Sequence, residues 1–146
     1  MKCLIQRVSQ AAVEVAGERV GAIETGLLVL VGVEKDDDEP RMQRMIQRLT
    51  GYRVFPDAEG KMNRSVSEIA GGLLLVSQFT LAADTRKGAR PSFSSAAEPG
   101  VARRIFEAFV TGVSAAHTGP VATGRFAADM QVSLINDGPV TFLLTT

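Results

Sequence analysis

Gly71-Gly72 followed by the unbroken apolar run Leu73-Leu74-Leu75-Val76 constrains this chain more than any other stretch. A short apolar run bounded by glycines predicts a strand buried on both faces. The run ends in Ser77-Gln78-Phe79-Thr80-Leu81, which mixes hydroxyl, amide and aromatic groups. Polar groups at the end of a buried strand must find partners, because an unpaired hydroxyl or amide in an apolar interior costs free energy. Two outcomes satisfy them. Either they close on the next turn, or they face a pocket and meet a ligand.

The rest of the chain supplies the frame. Residues 2–15 are rich in Val, Ile and Leu with interspersed polar residues, Val13-Glu14-Val15 alternating as in a strand. Ala16-Gly17-Glu18 reads as a turn, Arg19–Ile23 as a partner strand, and Leu27–Val33 as a second buried strand. This predicts an antiparallel meander at the N-terminus. The period then changes. Asp36-Asp37-Asp38-Glu39-Pro40 offers N-cap residues and a first-turn proline. Met42, Met45, Ile46 and Leu49 follow at helical spacing, and Gly51 stops the helix. Tyr52–Phe55 is a short strand, and Ser65-Val66-Ser67-Glu68 fits a capping box opening a helical turn. A second helix is expected from Glu98-Pro99, with Val101, Ile105, Phe109 and Val113 as its stripe, widened by Ala102, Phe106 and Val110. Asp129–Ile135 reads as a strand, Asn136-Asp137-Gly138-Pro139 as a tight turn, and Val140–Thr145 as the last strand. With no repeat or linker, residues 1–146 make one domain of the α+β class, a mostly antiparallel sheet with two main helices.

Composition excludes several classes. Sixteen basic and sixteen acidic residues leave a formal net charge of zero, so no global field draws the chain to nucleic acid or membrane. An RNA partner would need a local patch. Two exist: Arg41, Arg44 and Arg48 on one face of the first helix, and Arg86, Lys87 and Arg90 in the loop Ala82–Ser95. Each is either a solvated face or a phosphate contact. No apolar segment approaches the roughly 20 residues of a membrane span, and Met1–Arg7 lacks a signal-peptide core, so a cytoplasmic protein is expected. The lone Cys3 reads as a small buried hydrophobe. The lone His117 falls at the second helix's C-terminus, where it complements the dipole. One His and one Cys do not make a zinc site.

No phosphate loop, dinucleotide fingerprint or nucleophile elbow is present. Ser77 and Thr80 have no evident base; His117 would complete a Ser-His-Asp triad only if the fold brought it near. Binding a carbonyl and stabilising an oxyanion is the chemistry that unassisted polar groups and amides perform. Gly138-Pro139 is the second unusual feature. X-Pro bonds are mostly trans, but a cis bond here would aim two neighbouring carbonyls the same way, a grip for an ammonium group.

Ser77-Gln78-Phe79-Thr80-Leu81 and Asn136-Asp137-Gly138-Pro139-Val140-Thr141 closely resemble the two signature motifs of the D-aminoacyl-tRNA deacylases. Between and around these signatures, about 60 residues apart, lie Ile5-Gln6-Arg7-Val8, Gly32-Val33-Glu34-Lys35-Asp36, Arg90-Pro91-Ser92-Phe93 and Gly124-Arg125-Phe126-Ala127-Ala128-Asp129-Met130. The resemblance covers essentially the whole chain. It implies a barrel-like α+β domain forming a two-fold homodimer, with active sites at the subunit interface. It implies hydrolysis of the ester between a D-amino acid and the terminal adenosine of tRNA, and of glycine mischarged onto alanine tRNA, without metal or organic cofactor. By the same resemblance Ser77, Gln78, Phe79 and Thr80 line the catalytic pocket at the aminoacylated 3′ end. Gly138 and Pro139, joined by a cis bond and reaching into the other subunit, inspect chirality. Arg7 braces that loop and Met130 lines the nucleotide pocket. Two readings from other classes stand beside it: an RNA-binding module without catalysis, and a hydrolase of small esters using Ser77 or Thr80.

Overall fold

A computed structural model describes residues 1–146. Strand β1 (Lys2–Val15) is its longest uninterrupted pairing surface apart from the last strand. β2 (Glu18–Ile23) turns back along the second half of β1, and β3 (Gly26–Gly32) continues along the first half, both antiparallel. The expected meander is thus one long hairpin whose returning arm is kinked at Glu24-Thr25. The kink brings backbones together. A Cβ on Gly26 would fall among the backbone atoms of Gly72, so only glycine fits there.

Helix α1 (Glu39–Gly51) starts where the sequence predicts. The Asp38 side chain accepts from the Arg41 amide at 3.0 Å, and Met42, Met45, Ile46 and Leu49 are buried. β4 (Arg53–Pro56) and β5 (Met62–Ser65) form a separate two-stranded ribbon. The capping-box bonds form, Ser65 N to Glu68 Oε2 at 2.6 Å and Glu68 N to Ser65 Oγ at 3.2 Å, yet the segment remains a series of turns rather than a helix. β6 (Gly72–Ser77) lies beside β3, and β7 (Val121–Thr123) beside β6. Both of these pairings are parallel, so the sheet mixes its antiparallel majority with a parallel flank.

The doubly buried character of β6 has a direct cause. Leu73 and Leu75 face a cluster of 21 buried residues shared with α1 and α2 (Pro99–Ala116). Leu74 and Val76 face a cluster of seven with Val8, Ala11, Val13, Ile23 and Leu28, the inside of the curled sheet. A strand between two apolar layers needs no polar face, hence the unbroken run. Burying each such side chain stabilises by about 1.5–3 kcal/mol. The sheet curls almost to closure: a Cβ on Gly21 of β2 would lie 2.5 Å from the Thr123 carbonyl of β7. The result is the expected barrel-like architecture with two helices on one side.

β8 (Gln131–Thr145) corrects the expected tight turn at 136–139. Asn136 pairs with Val8 and Thr141 with Gln6 on the same strand, so the chain does not reverse. It loops outward and resumes. Asn136 closes the base of this excursion, its Oδ1 accepting from the Val140 amide at 2.7 Å.

His117 is also placed differently from the expectation. Its ring is buried and bonds no helix carbonyl; Nε2 donates to the Gly71 carbonyl at 2.8 Å, and Nδ1 meets Ser67 Oγ at 3.2 Å. It ties the end of α2 to the entrance of β6. Cys3 is fully buried, and that burial pushes its thiol up to about 12.

Candidate active site

Strand β6 ends at Ser77. The Gln78 amide donates to the Val31 carbonyl at 2.7 Å, and the chain then tightens into a 3-10 turn, Phe79–Ala82. Residues that open such a turn have no i−3 carbonyl inside it. The amides of Phe79 and Thr80 are in that position. Gln78 Nε2 donates to Thr80 Oγ1 at 2.5 Å, holding the two polar side chains together.

Beside this turn lies a pocket of about 490 Å³. That volume is within the roughly 300–1,000 Å³ of small-molecule sites. Ser77, Gln78 and Phe79 form one wall; Pro99, Ala102 and Phe106 from the start of α2 form another; Phe126, Met130 and Val132 close it. No Asp, Glu, His, Lys or Arg lines it. Outside the wall the Arg103 guanidinium stands 4.9 Å from the centre of the Phe126 ring, which packs at 6.1 Å on Phe106. A larger open groove of about 910 Å³ runs between the end of β2, residues 69–72 and Ser133–Ile135. None of the motif residues lines it, so its size does not make it the site.

The structure brings Ser77, Gln78, Phe79 and Met130 to one pocket and leaves Thr80 exposed on its rim. Arg7, Gly138 and Pro139 lie elsewhere. The Gly138–Pro139 peptide is cis, with Gly138 at φ +147, a region that favours glycine. Arg7 Nε donates to the Asp137 carbonyl at 2.8 Å and Nη1 to the Val54 carbonyl at 2.6 Å, so one guanidinium links the loop to β4. Ser77 is in register, through Val31, with Cys3, while the loop leaves β8 opposite the Gln6–Val8 stretch. At about 3.3 Å per residue and 4.8 Å per strand, the loop and Ser77 stand roughly 20 Å apart along the sheet.

His117, engaged with Gly71 and Ser67, is absent from the pocket, which removes the base that a triad would need. Sequence reasoning missed Phe126 as a wall and took Ala102 and Phe106 only for core. Their helical spacing marks burial but cannot tell a packed neighbour from a cavity.

The pocket is mostly apolar, has no ionisable side chain in its lining, and is edged by a strand end whose Phe79 and Thr80 amides take no backbone partner. The sequence profile of the D-Tyr-tRNA(Tyr) deacylase family matches residues 4–145. The D-aminoacyl-tRNA deacylase of Teredinibacter turnerae is 62% identical over 144 residues, and that of Pseudomonas paraeruginosa 64%, each alignment covering 99% of both chains. A solved structure described as a c-Myc DNA unwinding element binding protein superposes with a TM-score of 0.96 at 36% identity, covering 100% of this chain and 99% of that one. The chain belongs to the D-Tyr-tRNA(Tyr) deacylase family.

Proposed function

We propose that residues 1–146 act as a D-aminoacyl-tRNA deacylase, hydrolysing the ester between a D-amino acid and the terminal adenosine of tRNA, and the glycyl ester on alanine tRNA. The carrying observation is the pocket beside Ser77–Thr80 that has room for a nucleoside and offers no ionisable side chain. The nucleoside enters the apolar pocket, which puts the ester carbonyl at the opening of the 3-10 turn. The Phe79 and Thr80 amides stabilise the oxyanion; one such donor contributes on the order of 10²–10³ in rate. Water, or the vicinal ribose hydroxyl followed by water, attacks the acyl carbon. The acyl C–O bond breaks and the ribose oxygen takes the proton, leaving free amino acid and tRNA. No cofactor enters this scheme. A cytoplasmic location fits the substrate, and no helix is long and apolar enough to cross a membrane.

Chirality is read by Gly138-Pro139 of a second copy. The loop stands too far from its own chain's pocket to serve it. It is flanked on β8 by Leu134 and Ile135 before it and by Phe142 and Leu143 after it, exposed at 36%, 53%, 38% and 53%, so both faces of this edge strand carry exposed apolar side chains beside the loop, suited to a two-fold partner. Two main-chain carbonyls holding the α-ammonium direct a D side chain to open space and an L side chain into backbone. Backbone has no rotamer to change, so glycine and many D residues pass while L residues do not.

The test is release of labelled tyrosine from tRNA charged with the D or the L enantiomer. The proposal expects fast release of D-tyrosine and an intact L ester; comparable rates for both overturn it. Retention of charged tRNA without release would favour the RNA-binding reading. Specific activity should fall on dilution below the dimer dissociation constant, and a fully active monomer contradicts the shared site.

A further inference from the structure

We propose that the exposed Phe79–Phe93 pair is a stacking platform for the unpaired nucleotide preceding the terminal adenosine of the substrate RNA, an inference that rests on the deacylase reading. Phe79 is 60% exposed and Phe93 42%, and their ring centres are 5.1 Å apart at an interplanar angle of 43°. Phe79 belongs to the pocket wall and Phe93 does not. The pair therefore extends the pocket's apolar lining outward onto the surface. A single strand leaving the pocket by that side meets two aromatic rings, the usual sequence-tolerant platform for an unpaired base.

Phe93 is exposed on a backbone that is held in place. Ala96 N donates to the Phe93 carbonyl at 3.0 Å, and just before it Asp84 and Ser92 exchange backbone bonds of 2.8 and 3.0 Å. Those bonds close the loop 84–92, which turns at Gly88 with φ +70. Arg86 is engaged within the loop, donating to both Asp84 oxygens at 2.9 and 2.6 Å. Lys87 and Arg90 are exposed and make no ion pair or side-chain hydrogen bond. Lys87 and Arg90 thus stand as unpaired cations in the loop that leads into Phe93, available to the phosphates of a strand whose base stacks on the rings.

The experiment uses the whole protein with Phe93→Ala and Phe93→Leu, the second keeping apolar bulk without a π face. Three substrates are compared: D-tyrosyl-tRNA, the same tRNA made abasic at the penultimate nucleotide, and D-tyrosyl-adenosine. Both variants should raise KM for intact tRNA by about tenfold, the effect expected of one lost base–aromatic stack, with kcat within twofold. On the abasic tRNA and the nucleoside ester they should match the wild type. Equal losses on all three substrates overturn the proposal, since Phe93 would then only support Phe79; no change on intact tRNA does so as well. Sedimentation should give the wild-type mass, and dissociation of the variants would reassign the pair to a contact between copies.

Binding of uncharged tRNA, followed by fluorescence anisotropy, separates this inference from the activity. Wild-type protein should prefer intact over abasic tRNA, and Phe93→Ala should lose that preference. Equal wild-type binding to both tRNAs overturns the platform whatever hydrolysis is seen. In Lys87→Ala/Arg90→Ala the slope of log affinity against log salt should fall by about 0.7 per cation removed.

Discussion

Arg7 offers the sharpest test of how the 137–140 loop is held. Its guanidinium is bonded to the Asp137 and Val54 carbonyls at 2.8 and 2.6 Å, with an Asp137 carboxylate oxygen at 3.5 Å from Nε. Arg7→Ala removes both hydrogen bonds, each worth about 1.5–3 kcal/mol with a charged donor. Asp137 is exposed and water replaces much of its bond; the exposed ion pair adds about 0.2–1 kcal/mol at most. Val54 is 1% exposed, so its carbonyl loses its side-chain donor in a dry setting, at about 1–3 kcal/mol. The expected destabilisation is about 3 kcal/mol, a fall in Tm of roughly 6–12 °C for a chain of this size. Arg7→Lys keeps the charge but has one nitrogen for two carbonyls. It should be less unstable, yet still release the loop. A loop displaced by about 1 Å costs on the order of 10² in rate. Deacylation of D-tyrosyl-tRNA at 20 °C, well below either variant's Tm, should therefore fall by about that factor in both. An Arg7→Lys protein with wild-type kcat/KM would refute the idea that two-point bracing of this loop matters for activity.

Thr80→Ala and Thr80→Val should keep at least a tenth of the wild-type turnover, because the scheme uses the Thr80 amide; a loss beyond 10³-fold with tRNA binding intact would make the hydroxyl a nucleophile. Cys3, with its thiol pushed up to about 12 by burial, should resist iodoacetamide at pH 8 until the protein unfolds, and quick stoichiometric labelling of native protein would contradict the packing of β1. Burial pushes the Glu34 carboxyl up, but hydrogen bonds from Lys2 and the N-terminal ammonium outweigh it and hold it below 4.5. Its contribution is thus present above about pH 4.5 and is lost as pH falls through the lower folded value. The Tm gap between wild type and Glu34→Gln should be full at pH 7 and narrow progressively as pH falls below about 4.5; a gap that does not narrow in acid is not electrostatic. Gly26→Ala sets a Cβ against the Gly72 backbone and should destabilise by more than the about 1–3 kcal/mol of ordinary overpacking, whereas Gly100→Ala, with nothing within 4 Å, should be neutral or better by thermal melt.

Some of this molecule was legible because the determining forces act within a few residues. Asp38, Pro40 and Gly51 bound α1, and the run at 73–76 announced a strand buried on both faces. Ser77-Gln78-Phe79 marked a polar edge on that strand, and they do line a pocket. Short β5 and β7 carried too little periodicity to register, and the Ser65–Glu68 cap formed without a helix behind it, because too few residues follow to propagate one.

Other features depended on partners far along the chain. Nothing local to Asn136-Asp137-Gly138-Pro139 distinguishes a reversal from an outward loop; that is decided by β1, which pairs with the chain on both sides of it. His117 could not be assigned without knowing that Gly71 and Ser67 would surround it. Apolar spacing on α2 showed that Ala102 and Phe106 turn away from water, while only the approach of residues 126–132 made their surroundings a cavity. The sequence by itself determined where strands and helices begin, end and turn their apolar sides, since backbone preference and burial are properties of each segment. Which segments meet, at what register and around what empty space was settled by the tertiary structure, because pairing energy belongs to both partners and neither one encodes it alone.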